Sequence, residues 1–266
     1  MTGCPIITTN TEKGGSSKTT TVSNLGLALA RRGRHVLLVD LEYQANLTGI
    51  VAQHDVRSER TVGALLIQLA HSQQPDVASF IMRGCHHPQL DLLPADPFSM
   101  NAANLVVSSG GDEAEGLLTQ LLAPVRETYD YIVIDTCPRL FDPTVSLALL
   151  AATHVLVPVL PEAFAVGGVQ PLLGRIESFR DRNPDLRVLG LLPSRVPVNR
   201  IAARDALSAL EFLPVPVFRT VIHEATEVND AHNMGRPALA TNRRTRTVEE
   251  YEQLAEEVET MLAVRT

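Results

Sequence analysis

The chain predicts an α/β fold, a mostly parallel sheet with helices on both faces. Three observations predict it. Short apolar runs are too continuous to leave one face in water, helical periodicities separate them, and a glycine-rich loop joins the first run to the first helix. The runs read as strands are Cys4–Thr9, Arg34–Asp40, Leu90–Pro94, Tyr129–Asp135, His154–Val159 and Leu186–Ser194, with Val215–Thr220 as a shorter edge strand. After the first run, Val22, Leu25 and Leu29 mark a helix that Gly33 stops. Further helices are expected over Glu113–Glu127, Pro143–Ala151, Val166–Arg182, Ile201–Glu211 and Val248–Leu262. The stretches SERTVGALLIQLAHSQQ (58–74) and FSMNAANLVVSSGGDEAEG (98–116) read as connections, the second with a flexible turn at Ser108–Gly111.

The 266 residues carry no repeat, low-complexity linker or composition shift, so one domain spanning 1–266 is expected. Cys4, Cys85 and Cys137 are odd in number and far apart, which suits a reducing cytoplasm better than a disulfide framework. No stretch reads as a signal peptide or a spanning helix. A formal net charge of −7 excludes a globally basic surface, so any nucleic-acid contact must come from a local patch.

The loop after the first strand reads TEKGGSSKTTT. Gly14 and Gly15 let backbone wrap around phosphate oxygens at a helix N-terminus, where unpaired N–H groups and the helix dipole favour anions. Lys18 is placed to reach the outer phosphates, and Thr19 puts a hydroxyl where Mg2+ would sit. The segment KGGSSKTT resembles the deviant Walker A motif of the ParA/MinD family of P-loop ATPases, whose hallmark is the early lysine, here Lys13. The resemblance implies a P-loop NTPase fold and ATP with Mg2+ as ligands. It implies ATP contacts from Lys13, Gly14, Gly15, Ser16, Ser17, Lys18, Thr19 and Thr20, and a homodimer in which Lys13 reaches the nucleotide of the other protomer. Ser17 stands where the family has glycine. Serine is tolerable there if the backbone has φ < 0, so binding is expected to survive with altered affinity or rate.

The segment VLLVDLEYQANLTG (36–49) resembles the family's D-x-D-P-Q-x-N switch. Asp40 takes the first acidic position, near the Mg2+ hydration shell. Glu42 takes the second, which positions the attacking water. Tyr43 replaces proline, and Gln44 and Asn46 are kept. Glu42 carries its charge one methylene farther out than aspartate, and a misplacement of about 1 Å costs on the order of 100-fold, so slow hydrolysis is expected. YIVIDTCPRL (131–140) resembles Walker B and the second switch, with Asp135 holding Mg2+ through water. Lys13, Lys18, Asp40 and Glu42 are thus the expected catalytic residues, and Thr19, Asp40 and Asp135 the expected metal residues. Neither Cys137 nor Cys85–His87 offers the spaced pairs a metal or iron–sulfur site needs.

The resemblance runs from about Cys4 to Leu262 and places Ile222 and His223 beside the base. The family's jobs include DNA partitioning, membrane-bound site selection, and scaffold or reductase work. The C-terminal helix presents an acidic polar face where membrane-surface helices carry Lys and Arg, so no membrane partner is expected. For nonspecific double-stranded DNA, phosphate contacts suffice. The candidates are Arg195, Arg200 and Arg204 in one segment and Arg243, Arg244 and Arg246 in another. Glu224 stands where the family places a DNA-contacting arginine. Because the chain opens almost directly on its first strand, it resembles the small ParA type. That resemblance implies a nucleoid-associated cytoplasmic ATPase reset by a centromere-binding ParB-like protein. The alternatives are a protein-positioning ATPase that does not bind DNA, and a metabolic ligase or reductase.

Overall fold

The computed structural model describes residues 3–11, 15, 17–161, 165–197, 208–241 and 244–264. Six strands form one parallel sheet: β1 (Ile6–Thr9), β2 (Val36–Asp40), β3 (Leu90–Leu93), β4 (Tyr131–Asp135), β5 (His154–Val159) and β6 (Arg187–Pro193), in the order β3-β2-β4-β1-β5-β6. The strands are apolar at nearly every position because both faces are covered. Leu37, Val39, Ile132 and Ile134 point into one core, where α3 (Val62–Ala70), α4 (Pro97–Ser109), α6 (Leu117–Leu122), α7 (Pro143–Ala151) and α8 (Ala165–Phe179) pack. Val36, Leu38, Val133 and Leu156 point into the other, beneath α1 (Lys18–Arg31), α2 (Asn46–Val51) and α10 (Arg246–Ala263). This alternation is the period-2 geometry of a strand serving two cores.

The order puts β1 between β4 and β5, so the loop leaving β1 rises from the middle of the sheet. It also pairs the ends of β2 and β4, setting Asp40 opposite Asp135. That register builds the site.

The expected fold class stands, with four local corrections. First, 58–74 and 98–116 are largely helical. Thr61 caps α3 by accepting from the Ala64 N–H (3.3 Å), and Asp96 caps α4 by accepting from Phe98 and Ser99 (2.9 and 3.2 Å) ahead of Pro97. The two helices touch at Gly63, where a Cβ would fall 2.6 Å from the Ser99 backbone. Ser108 and Ser109 belong to α4, and the turn is confined to Gly110 and Gly111 (φ 61°).

Second, the helix expected over Glu113–Glu127 breaks at Gly116 into α5 (Gly111–Glu115) and α6, followed by a short 3-10 turn at Arg126–Thr128. Third, Val215–Thr220 forms no strand. Pro214 and Pro216 lack the N–H groups a ladder needs, and the segment joins the sheet edge by a lone parallel bridge, Leu191 to Val217. Fourth, a helix is present at Thr226–Asn233 (α9) where none was expected. Most of the helix expected at Ile201–Glu211 lies outside the described residues.

Candidate functional site

The β1–α1 loop is described at Gly15, Ser17 and beyond, whereas Lys13, Gly14 and Ser16 lie outside the described residues. Lys18 opens α1 and is buried. Ser17 does not meet the condition that makes serine easy to accommodate: its φ is 70°, in the left-handed region. Holding an L-residue there costs about 1 kcal/mol, which glycine would avoid. Its carbonyl nevertheless accepts the first helical bond, from the Thr21 N–H at 2.7 Å.

At the ends of β2 and β4 the two aspartates meet fully buried. Thr19 Oγ1 donates to Asp135 Oδ2 at 2.5 Å, while Asp135 Oδ1 has no partner among the described residues. Burial, and then the like charge of Asp40, push the Asp135 carboxyl up to about 8. Asp40 is pushed up to about 6 by burial, opposed by N–H and hydroxyl donation from Thr48 (2.8 Å each) and by the Glu42 N–H (3.0 Å). Thr48 Oγ1 also accepts from the Ala95 N–H (2.9 Å), tying the first switch to the loop after β3.

Glu42 is raised by burial, and Asn46 steadies it with Nδ2 donating to Oε2 at 2.8 Å. Burial lowers Lys18, against the pull of Asp135, Cys137 and Glu42. Asp135 and Glu42 thus both act on the buried Lys18. A bare carboxylate oxygen beside a threonine hydroxyl suits a hard divalent cation. Among the described residues no three His, Cys, Asp or Glu side chains form a metal cage, so such an ion would share its coordination with phosphate and water, as Mg2+ does.

A cleft of ≈ 780 Å3 runs from Lys18–Thr20 past Glu42–Asn46 to Ile222–Ala225. Tyr43 lies under the Arg139 guanidinium (5.7 Å), linking the loops after β2 and β4. Ile222 is anchored to the end of β6: its N–H donates to Pro193 (2.9 Å) and its carbonyl accepts from Val196 (3.1 Å). His223 is gripped by Glu250 of α10, whose Oε2 accepts from the His223 N–H (2.9 Å) while Oε1 lies 2.6 Å from Nδ1. Arg246 donates through Nε to Glu250 Oε1 (2.7 Å), and its Nη2 stands 2.8 Å from His223 Nε2. In this geometry Nδ1 is placed to donate to Glu250 and Nε2 to accept from Arg246.

The arginines expected as a DNA patch are distributed differently. Arg195 lines the cleft, with Nη1 donating to the Gly15 carbonyl (3.0 Å) and Nη2 pairing with Glu224 (3.1 Å). Arg246 belongs to the His223–Glu250 cluster. Arg244 is exposed, and Arg200, Arg204 and Arg243 lie outside the described residues. Cys137 is buried and its thiol is pushed up to about 11 by that burial, which makes it an inert packing group. Sequence reasoning missed Thr48 and Glu250. The signals were present: Thr48 follows Asn46 in the first switch, and Glu250 sits one helical turn after Arg246.

Comparison with known proteins agrees with this geometry. A family model described as an AAA domain matches residues 4–188. The chain is 35% identical to the chromosome-partitioning ATPase Soj of Thermus thermophilus, over 93% of this chain and 92% of that one. It is 31% identical to the sporulation initiation inhibitor protein Soj of Bacillus subtilis, over 95% and 97%. Cobyrinic acid a,c-diamide synthase of Mycobacterium smegmatis, solved with an ATP analog and magnesium, superposes with a TM-score of 0.81 at 27% identity, covering 95% and 93% of the two chains. The chain belongs to the ParA/Soj family of P-loop ATPases.

Proposed function

We propose that the chain is a partitioning ATPase. On this reading Mg2+ and ATP close two copies face to face, the dimer holds double-stranded DNA without sequence preference, and a ParB-like partner triggers hydrolysis to reset it. Asp135 carries the reading. Its buried unpartnered Oδ1, behind Thr19 and Lys18, which line a nucleotide-sized cleft, is the arrangement a Mg2+–triphosphate would complete.

Lys18 supplies positive charge to the outer phosphates, and Gly14 to Thr20 wrap them with backbone N–H groups. Thr19, Asp135 and Asp40 would hold the metal and its hydration shell, and the ion would supply charge neutralisation for phosphoryl transfer. Glu42, steadied by Asn46, orients the attacking water. Its burial and its extra methylene relative to aspartate keep turnover slow until a partner adjusts the loop. Ile222 and His223 wall the base. Lys13 of each protomer completes the other's phosphate site and makes dimerisation conditional on ATP.

A second reading has an observation in its favour. Arg195 and Arg246 are paired with Glu224 and Glu250 rather than displayed, which suits an ATP-switched protein that positions a protein cargo and leaves DNA alone. Fluorescence anisotropy on random duplex DNA with ATP, ADP or no nucleotide separates the two. The partitioning reading predicts binding only with ATP, weakening steeply with salt. Absent or nucleotide-indifferent binding at low salt contradicts it.

A further inference from the structure

Two features of this chain have no evident reason to occur together: a serine in a left-handed loop position, and an arginine bridge across the nucleotide cleft. The bridge starts from Arg195, itself at φ 52°. A non-glycine residue holds that conformation only where its neighbours over-determine it. They do so here: the Ser194 N–H donates to Val159 (2.8 Å), the Val196 N–H to Ile222 (3.1 Å) and the Glu224 N–H to Val196 (3.1 Å). Both flanks of Arg195 are thereby pinned to the sheet edge, and its side chain crosses to the phosphate loop. Nη1 meets the Gly15 carbonyl and Nη2 meets Glu224. Gly15 is also left-handed (φ 74°), and a Cβ there would sit 3.7 Å from Arg195 Nη1.

We propose that Arg195 and Glu224 brace the phosphate loop from outside and offset the strain that Ser17 introduces, so that Arg195 is a positioning residue for nucleotide binding. The proposal rests on the nucleotide reading above. Gly15 lies two residues before Ser17, so a clamp on its carbonyl restricts the loop on the N-terminal side of Ser17. The Thr21-to-Ser17 bond restricts it on the other. With Gly at position 17 the loop would hold this shape without help. Glu224 keeps the guanidinium aimed at the carbonyl rather than at solvent. The brace also accounts for an acidic residue at 224, which repels DNA phosphate but suits an arginine partner.

The test is a double-mutant cycle read by binding of a fluorescent, non-hydrolysable ATP analogue with Mg2+. The proteins are the parent, R195A, S17G and the S17G/R195A pair, with circular dichroism confirming the fold. R195A is expected to weaken binding about fivefold in the parent, the scale of one surface ion pair with its hydrogen bond. In the S17G background the loss should fall below about twofold. E224Q, which keeps an uncharged side chain of the same length, should show a smaller loss with the same dependence on residue 17. Equal losses in both backgrounds, as direct contact between Arg195 and the nucleotide would give, overturn the brace while leaving the nucleotide reading intact. No loss on R195A also overturns the brace. A parent that binds no analogue overturns both.

Discussion

The two walls of the cleft are built on different terms. The wall at the ends of β1, β2 and β4 is made of groups whose chemistry leaves little choice. Lys18, Thr19, Asp40 and Asp135 are buried or sit at a helix start, and strand register sets the two aspartates opposite each other. The wall from Arg195 to Arg246 is made of polar groups that satisfy one another: exposed Arg195 with Glu224, and Arg246 with buried Glu250 and with His223. The first wall holds a buried carboxylate oxygen, Asp135 Oδ1, that has no partner among the described residues. The second is already neutralised and can only shape what the first one binds.

That contrast predicts a ranking of effects. Asp135→Asn should be the most severe, removing Mg2+-dependent hydrolysis by more than about 100-fold, because the substitution deletes the bare oxygen beside Thr19. It should also change how stability depends on pH. The folded Asp135 carboxyl is raised to about 8 from an ordinary 3.8, so the folded state binds the proton more tightly than the unfolded chain. In the ligand-free protein that contribution to stability is present below about pH 4 and is lost as pH rises towards 8. Asp135→Asn should therefore flatten this decline in thermal melts of the ligand-free protein. An unchanged slope would mean that Asp135 is not the source of the pH dependence.

Glu42→Ala comes next, expected to lower kcat by about 100-fold while ATP binding stays within about twofold, since on the proposed reading the residue orients water rather than phosphate. Equal losses in kcat and affinity would return Glu42 to a structural role. Glu250→Gln should be the mildest. It loosens the grip on His223 and Arg246, and nucleotide affinity should fall by about three- to tenfold with kcat nearly unchanged. A large fall in kcat from Glu250→Gln would break the contrast, because the second wall would then take part in the chemistry.

The same contrast explains what the sequence made legible. The placement of Lys18, Thr19, Asp40 and Asp135 was legible because Lys18 and Thr19 follow the glycine loop into a helix and Asp40 and Asp135 close apolar strands. The backbone angle of Ser17 was not readable, since residue identity alone does not reveal the sign of φ at a departure from the usual glycine. The second wall was misread for a different reason. Arg195 and Arg246 were grouped by sequence proximity with other arginines, yet their partners are Glu224 and Glu250, which the fold brings to them. Isolated arginines look alike in a sequence whether they face a phosphate or a glutamate. Helices α3 and α4 start at Thr61 and Asp96–Pro97, ordinary helix caps that a reading of the two stretches as connections leaves out.

The central claim is that triphosphate joins two copies through Lys13. Light scattering coupled to size-exclusion chromatography, with the parent and Lys13→Ala each run with ATP and Mg2+, with ADP and without nucleotide, tests it most directly. The account predicts a dimer only for the parent and only with ATP. A Lys13→Ala protein that pairs as readily as the parent, or a parent that stays monomeric at saturating ATP and Mg2+, would contradict it.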